Sequence, residues 1–368
     1  MARKHTPTRS GQLVQLAHRS SVLADNPLGD PNERVLSVWL PPGYDRRKAG
    51  LPVLFDLVGY TGSGFSHTNW NNFAENVPER LDSLSSSGTL PPCIVVFPDC
   101  FTALGGNQYI NSSAMGRYAD YLTRELIPLV DKNFNTLAHR DHRGCFGKSS
   151  GGYGSLVHGM KYSRYWGAVA SHSGDAGFDF VYRSEWPAVL TRLERFAEPP
   201  PRPDKPPRAP GKRAATLLAK GMDDGRIRRF LEAIWATERP SGDDIMALML
   251  IAMAATYDPD PKAPNGFRVP YRLDTGEFLD SRWKRWLAHD PVQLAEDAVH
   301  RKGLRSLKLL YFDCGWKDQY HIHFGNRQLA ERLTRFRVPH RYQEFDGTHS
   351  GVDHRMDVSL PLLAKALR

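Results

Sequence analysis

The chain has 368 residues, of which 40% are hydrophobic and 24% are charged, and this composition excludes a wholly disordered protein. Its longest apolar run, residues 245–255, is shorter than the ~18 residues that a membrane helix needs, and the first residues lack the apolar core of a signal peptide. We therefore expect a cytoplasmic protein without a membrane partner. The length suits one catalytic body with an inserted segment.

The net charge of +9 has a largely local origin. Basic residues are concentrated in one proline-containing stretch, at Arg202, Lys205, Arg208, Lys212, Arg213, Lys220, Arg226, Arg228 and Arg229. The aromatic interleaving and the recognition motifs of nucleic-acid binders are missing, so we interpret this stretch as a solvated loop and helix face and expect no nucleic-acid partner. The four cysteines form no CxxC pair, which indicates neither a zinc site nor a disulfide framework.

Short β-type segments alternate with helical ones, and this alternation predicts an α/β fold with a mostly parallel central sheet and helices on both faces. The predicted strands are residues 35–40, 53–58, 93–97, 144–146, 166–170, 307–312 and 342–345. Apolar residues at helical spacing predict helices over 118–130, after 150, through 329–336 and at 361–367. The second and third predicted strands are nearly continuous apolar runs, as expected for strands buried on both faces.

The composition changes between residues 176 and 291. Residues 199–210 are rich in proline and form a predicted linker. A helix with an apolar stripe is predicted after it, carrying Ile227, Phe230, Leu231, Ile234 and Trp235. A second helix is predicted to begin near Ser241. We interpret 176–291 as a helical cap over the mouth of the sheet, inserted between the two parts of a catalytic body, 1–175 and 292–368.

Residues 147–151 read Gly-Lys-Ser-Ser-Gly and match G-x-S-x-G, the nucleophile elbow, between a predicted strand and a predicted helix. The elbow turns so tightly that side chains two residues before and after the serine would collide with neighbouring elements. Centring the motif on Ser149 places glycines at both positions, whereas centring it on Ser150 places Lys148 at the first. Ser149 is therefore the predicted nucleophile, and the Ser150 N–H is a predicted oxyanion donor. A phosphate-binding loop is excluded, because it requires glycine where His142 stands.

A serine nucleophile needs a base and an orienting carboxylate, and in the α/β-hydrolase fold the acid and then the histidine follow the serine along the chain. Asp318 lies in the loop after the predicted strand 307–312, and His349 comes directly after the last predicted strand. We assign these two residues as the acid and the base. Asp313 is the rival acid, and His354 is the rival base.

The loop after the predicted strand 53–58 is rich in glycine, and the Tyr60 N–H within it is the second predicted oxyanion donor. We assign substrate contacts to three aromatic side chains, Trp70, Tyr109 and Trp316. His321 and His323 form a His-x-His pair, but no cysteine or acidic ligand stands nearby at a recognised metal spacing. We therefore predict no metal and no cofactor.

Several short motifs together resemble a known family. They are Val-Trp-Leu-Pro-Pro-Gly-Tyr at 38–44, Asn-Gln-Tyr-Ile-Asn-Ser at 107–112, residues 121–128, the elbow through 154, and Cys-Gly-Trp-Lys-Asp at 314–318. The chain resembles the family named Putative esterase, which includes esterase D (S-formylglutathione hydrolase), feruloyl and acetylxylan esterases, enterochelin esterases and antigen 85 mycolyltransferases. The quoted motifs lie in the two parts of the catalytic body and do not extend over 176–291.

The resemblance implies the α/β-hydrolase fold and assigns the triad to Ser149, Asp318 and His349. It also assigns the backbone oxyanion donors to Tyr60 and Ser150. The chain differs from many members of the family at two motifs that bear on the choice of subfamily. Many relatives have His-Gly before the oxyanion loop, where this chain has Val-Gly, and Ser-Met-Gly-Gly at the elbow, where it has Ser-Ser-Gly-Gly.

These residues predict a serine esterase that hydrolyses a small-molecule carboxylic ester through an acyl-enzyme on Ser149. Two alternatives stay open. An acyltransferase with the same triad passes the acyl group to an acceptor other than water, and a hydrolase fold without catalysis acts as a binding protein. The acyl group, the alcohol and the oligomeric state are not predicted.

Overall fold

The computed structural model describes residues 10–199, 202, 205 and 208–368. The strands within these residues are β1 (Gln12–Arg19), β2 (Glu33–Leu40), β3 (Val53–Leu57), β4 (Ile94–Phe97), β5 (Asn111–Ser112), β6 (Gly116–Arg117), β7 (Arg143–Lys148), β8 (Ala168–His172), β9 (Leu309–Gly315) and β10 (Arg341–Phe345).

The helices of the described residues are α1 (Gly64–Thr68), α2 (Val77–Ser86), α3 (Tyr118–Asp120), α4 (Ile127–Asn133), α5 (Ser150–Lys161), α6 (Phe178–Val181), α7 (Trp186–Glu194), α8 (Lys212–Ala219), α9 (Arg226–Trp235), α10 (Gly242–Tyr257), α11 (Asp280–Leu287), α12 (Pro291–Leu294), α13 (Ala298–Arg305), α14 (Ile322–Arg335) and α15 (Met356–Ala366). A π-helical segment, Tyr121–Leu126, joins α3 to α4. Short 3₁₀ helices are found at Arg140–His142, Arg183–Glu185 and Val352–Arg355.

Eight of the described strands form one sheet in the order β1-β2-β4-β3-β7-β8-β9-β10. The pairs from β4 to β10 are all parallel, whereas β2 runs antiparallel to both of its neighbours. β5 and β6 form a separate antiparallel pair. This mostly parallel sheet with its covering helices confirms the predicted α/β-hydrolase fold.

The sheet separates two hydrophobic cores, because neighbouring residues of a strand point to opposite faces. In β3, Leu54 belongs to the core that contains Leu81 of α2 and Leu360 of α15. Phe55 belongs to the larger core on the other face, which contains Leu156 of α5. Every residue of β3 is buried, and this burial on both faces accounts for the nearly continuous apolar sequence of the strand.

The predicted strands are all present, with ends that differ by a few residues from the predicted ones. β1 has no counterpart among them, because it is an edge strand whose residues are exposed or half exposed and form no apolar run. The helix predicted over 118–130 is interrupted by the π-helical segment. Strand ends and edge strands depend on pairing partners far away in the chain, which local patterns do not contain.

The inserted segment contains the helices from α6 to α11. Four stripe residues of α9 are buried, namely Ile227, Phe230, Leu231 and Ile234. Trp235 is partly exposed, and its Nε1 donates a hydrogen bond to the carbonyl oxygen of Ala103 at 2.9 Å. α10 begins after the N-cap Ser241, which forms a capping box with Asp244, so the predicted helix start is correct. Half of the predicted linker 199–210 lies outside the described residues.

The parallel strands end at one edge of the sheet, and the loops that follow them converge there. These are the loops after β3, β7, β8, β9 and β10. Within the described part of the chain, no helix combines the length and the apolar character required to cross a bilayer. The four cysteines, Cys93, Cys100, Cys145 and Cys314, are buried free thiols.

Candidate active site

The turn between β7 and α5 holds Ser149 in a backbone conformation that side-chain-bearing residues rarely adopt. Its φ is 55° and its ψ is −125°. A Cβ atom added to Gly147 or to Gly151 would collide with the carbonyl oxygen of Leu57 in β3. The close approach of the elbow to β3 therefore requires glycine at both positions, which supports centring the motif on Ser149 rather than on Ser150.

Backbone hydrogen bonds hold the elbow on both sides. The Ser149 N–H donates to the carbonyl oxygen of His172 at 2.9 Å, and the Tyr153 N–H donates to the carbonyl oxygen of Ser149 at 2.9 Å. The Ser149 residue is half exposed and lines a cavity of about 490 Å³. The nucleophile candidate thus has a fixed backbone and borders open space.

Asp318 and His349 form a pair on the loops after β9 and β10. His349 Nδ1 lies 2.8 Å from Asp318 Oδ2; the Asp318 side chain is fully buried and the His349 side chain is 15% exposed. Asp318 Oδ1 accepts the N–H of Tyr320 at 2.9 Å, and the His349 N–H donates to Gln319 Oε1 at 3.0 Å. His349 lines the same cavity as Ser149. One nitrogen of the imidazole is therefore fixed by a carboxylate, while the ring borders the space beside the serine.

The rival acid, Asp313, lies inside β9 and not in a loop. Its Oδ1 is 2.8 Å from His172 Nδ1, and its Oδ2 accepts hydrogen bonds from Tyr311 Oη at 2.6 Å and Arg355 Nε at 2.8 Å. Burial raises the pKa of Asp313, but His172, Tyr311 and Arg355 together outweigh burial and hold the pKa below its usual value. The rival base, His354, directs Nδ1 to a backbone carbonyl oxygen at 2.9 Å.

One predicted oxyanion donor, Ser150, lies within the elbow, and the other, Tyr60, lies in the loop after β3. The Tyr60 carbonyl oxygen accepts the Gly106 N–H at 2.6 Å, and the Tyr60 hydroxyl donates to the Leu104 carbonyl oxygen at 2.7 Å, so both ends of this residue are held. Ser150 is the first residue of α5, and its Oγ accepts a hydrogen bond from Gln108 Nε2 at 2.7 Å. In the described part of the chain, neither N–H has a hydrogen-bond acceptor, which leaves both available to an oxyanion.

The three aromatic side chains assigned to substrate binding are not brought together. Tyr109 is buried, and its hydroxyl donates to the Val58 carbonyl oxygen at 2.7 Å, which supports the loop after β3. Trp70 and Trp316 are 57% and 46% exposed, and the Trp316 ring lies 4.6 Å from Lys317 Nζ. The residues found to line the cavity include none of the three, so its lining gives these assignments no support.

The cavity has an apolar wall, most of which comes from the inserted segment, and several polar residues also line it. The apolar side chains are Val181, Ile245, Met246, Met249 and Ile322. Asp175, Tyr182 and Tyr320 also line it, and sequence patterns single out none of them. The position of Asp175, just past the buried strand β8 at the edge where the site loops meet, is the signal that points to it.

The His-x-His pair lies at the start of α14. The ring centroids of His321 and His323 are 6.4 Å apart, and burial lowers the pKa of His323. Within the described ranges, no group of three or more His, Cys, Asp or Glu residues is arranged to hold a metal ion.

Comparisons with known proteins bear on the family and the fold of the chain. A family model described as Putative esterase matches residues 31–359, and the match runs through the inserted segment that the short motifs do not reach. The uncharacterized protein YbbA of Bacillus subtilis is 24% identical over 164 residues, which are 40% of this chain and 58% of YbbA. Esterase Rv1288 of Mycobacterium tuberculosis is 35% identical over 103 residues, 26% of this chain and 22% of that protein. The chain thus spans less than two thirds of the length of either curated relative.

Among solved structures, a ferulic acid esterase superposes with a TM-score of 0.58 at 17% identity, covering 98% of this chain and all of that one (100%). The chain therefore has the α/β-hydrolase fold. Because the family model matches most of its length, the chain belongs to the Putative esterase family.

Proposed function

We propose that this protein is a serine esterase that hydrolyses a small carboxylic ester through an acyl-enzyme on Ser149. The observation that carries the proposal is the placement of Ser149, at φ 55° on a glycine-flanked elbow, in one cavity with His349, whose Nδ1 is bound to the buried Asp318. A nucleophile, a base and an orienting carboxylate are the three parts that acyl transfer requires.

In the proposed reaction, Ser149 Oγ attacks the ester carbonyl carbon while His349 Nε2 takes the hydroxyl proton. Asp318 fixes the imidazole tautomer and stabilises the imidazolium that forms. The tetrahedral intermediate collapses as His349 returns the proton to the departing alcohol. Water then attacks the acyl-enzyme with the same assistance and releases the carboxylic acid and free Ser149. The N–H groups of Tyr60 and Ser150 stabilise the oxyanion in both halves, and loss of one such donor typically costs about 2.7–4 kcal/mol.

Replacing the nucleophile tests this proposal. We expect Ser149→Ala to abolish labelling by a fluorophosphonate probe and to lower kcat for p-nitrophenyl butyrate by about a millionfold, with the melting temperature nearly unchanged. Ser150→Ala is the matched control, since it keeps its backbone N–H and should still be labelled. Labelling of Ser149→Ala, together with loss of labelling in Ser150→Ala, would show that the elbow is centred on the other serine.

We further propose that residues 176–291 act as a cap that shapes the substrate pocket. Ile245, Met246 and Met249 of α10 line the cavity that Ser149 borders, which supports this role. Met246→Ala should change the ratio of kcat/KM for long and short p-nitrophenyl acyl esters by about tenfold, because one or two methylenes in a pocket discriminate on this scale. Leu248→Ala, on the same helix but outside the cavity lining, is the control. If Met246→Ala and Leu248→Ala have equal ratios of kcat/KM for long and short esters, residues 176–291 have a structural role only.

A further inference from the structure

Asp175 is a carboxylate in the catalytic cavity that the proposed hydrolytic mechanism does not use. It lies three residues after the end of β8, is 4% exposed and lines the cavity with Ser149 and His349. Because it reaches the same space as the nucleophile, any ester that occupies the cavity comes close to it.

The Asp175 carboxylate has fewer hydrogen-bond partners than the buried carboxylates of Asp290 and Asp313. Its Oδ2 accepts a hydrogen bond from Tyr182 Oη at 2.7 Å and a long one from Gln108 Nε2 at 3.5 Å. Among the described residues, Oδ1 has no hydrogen-bond donor and no Lys, Arg or His forms an ion pair with the group. Asp290, by contrast, accepts backbone N–H groups from Gly177, Phe178 and Val292.

An ionised carboxylate removed from water without a cation is unfavourable, and burial accordingly raises the pKa of Asp175. Asp56, Asp313 and Asp318 are equally buried, but each contacts a histidine at 2.6–2.8 Å. A cation brought into the cavity would give Asp175 the partner that the described protein residues do not supply.

The two basic side chains in the cavity lining, Lys148 and His349, are each paired with an aspartate of the protein. The Lys148 ammonium is already engaged, because its Nζ donates to Asp353 Oδ1 at 2.6 Å. The rings of Tyr182 and Tyr320 also line the cavity, and aromatic faces attract ammonium groups. The apolar wall contributed by α10 suits a hydrocarbon chain between the ammonium and the ester.

We propose that Asp175 binds a protonated primary amine of the substrate, so that the preferred substrates are esters that carry an ammonium group on a short hydrocarbon chain. The proposal rests on the proposed function, because it assigns a substrate class to the same site. Tyr182 holds the carboxylate through Oδ2 and leaves Oδ1 to receive the ammonium.

Matched p-nitrophenyl esters test the proposal. The β-alanyl and 6-aminohexanoyl esters differ from the butyryl and heptanoyl esters only in an ammonium group in place of the terminal methyl, and the 3-hydroxypropanoyl ester carries a neutral hydroxyl. We expect at least one ammonium ester to exceed its alkyl partner in kcat/KM. Asp175→Asn should lower that ammonium-to-alkyl ratio by about 10- to 100-fold, the effect of one hydrogen bond between charged groups.

Asp25→Asn removes the same charge at an exposed position and is expected to keep the ratio. The proposal is overturned if the ratio is unchanged in Asp175→Asn, if Asp175→Asn lowers kcat/KM for ammonium and alkyl esters equally, or if the hydroxyl ester is preferred over the ammonium ester. Fluorophosphonate labelling of the unaltered protein distinguishes a failure of the serine-esterase proposal from a failure of the role proposed for Asp175. Without labelling, the serine-esterase proposal itself fails, whereas labelling and butyryl hydrolysis without an ammonium preference overturn only the role of Asp175.

Discussion

Two aspartate–histidine pairs lie on neighbouring parts of the sheet and have the same local geometry. His172 Nδ1 is 2.8 Å from Asp313 Oδ1 between β8 and β9, and His349 Nδ1 is 2.8 Å from Asp318 Oδ2 on the loops beyond the strands. The first pair is fully buried, and its second imidazole nitrogen lies 2.9 Å from Ser359 Oγ. The second pair borders the cavity, and His349 Nε2 has no hydrogen-bond partner among the described residues.

The contrast shows that an aspartate–histidine contact does not define a function by itself. In the pair inside the sheet, both ring nitrogens and both carboxylate oxygens of Asp313 are engaged by protein groups, so the pair is suited to holding β8, β9 and α15 together. In the pair on the loops, one ring nitrogen is left free to exchange a proton. The surroundings of the second nitrogen therefore separate a structural pair from a candidate catalytic one.

The largest expected effect is the difference in activity between variants of His349 and His172. His349→Ala should lower kcat by about a millionfold on the scale of related triads, while the melting temperature changes little because the ring borders a cavity. His172→Ala should act in the opposite way, lowering the melting temperature while the folded fraction keeps its turnover. Ester hydrolysis and thermal unfolding measured on both variants test this difference. More than about 1% residual activity in His349→Ala would contradict a catalytic role for His349.

Asp313→Asn tests the structural pair through stability. Leaving His172 and Arg355 without their carboxylate should reduce the free energy of unfolding at pH 7 by about 3–5 kcal/mol. Because the pKa of Asp313 is held below its usual value, its stabilisation is present above the ordinary carboxyl pKa and is lost as pH falls through the lowered value. Urea unfolding at pH 7 and at pH 3–4 should therefore show the gap between the two proteins narrowing in acid. A gap that widens in acid would contradict this account of the pair.

Glu125 extends the comparison to a glutamate beside a histidine. His18 Nε2 lies 3.2 Å from Glu125 Oε2, and the same carboxylate accepts hydrogen bonds from Ser20, Ser21 and Val22. Burial raises the pKa of Glu125, but these hydrogen bonds outweigh burial and lower it to about 2.

Glu125→Gln should reduce the free energy of unfolding by about 1–3 kcal/mol at pH 7, as expected for hydrogen bonds to a charged group, without an effect on turnover. The stabilisation by Glu125 is complete above its ordinary pKa and declines as pH falls toward 2. Unfolding experiments between pH 5 and pH 3 should show the difference decreasing. A constant difference over this range would mean that the charge of Glu125 contributes nothing.

The fold and the elbow could be predicted because their physical causes are local in the sequence. The buried strands appear as nearly continuous apolar runs, and the glycines that the contact of the elbow with β3 requires, Gly147 and Gly151, stand in one short motif with Ser149. The edge strand β1 could not be predicted in the same way, since it is stabilised by pairing with β2 and not by an apolar run.

The cavity was harder to predict, because its lining depends on contacts across the inserted segment. Tyr109, an aromatic residue in a family motif, is buried in the protein interior. Trp70 and Trp316 are exposed and lie outside the cavity lining. Asp175 and Tyr182 line the cavity from the segment that follows β8, before and after α6. Residue type alone therefore does not tell which aromatic and acidic residues of the chain line the cavity and which do not.

The most direct measurement is kcat for ester hydrolysis by Asp318→Asn, with Asp313→Asn measured beside it on protein shown to be folded. The account predicts that Asp318→Asn lowers kcat on the order of 10⁴-fold with little change in melting temperature, because an amide can neither fix the His349 tautomer nor stabilise the imidazolium. It predicts that folded Asp313→Asn keeps its turnover within about tenfold. A larger loss of kcat in folded Asp313→Asn than in Asp318→Asn would contradict the assignment of the catalytic acid.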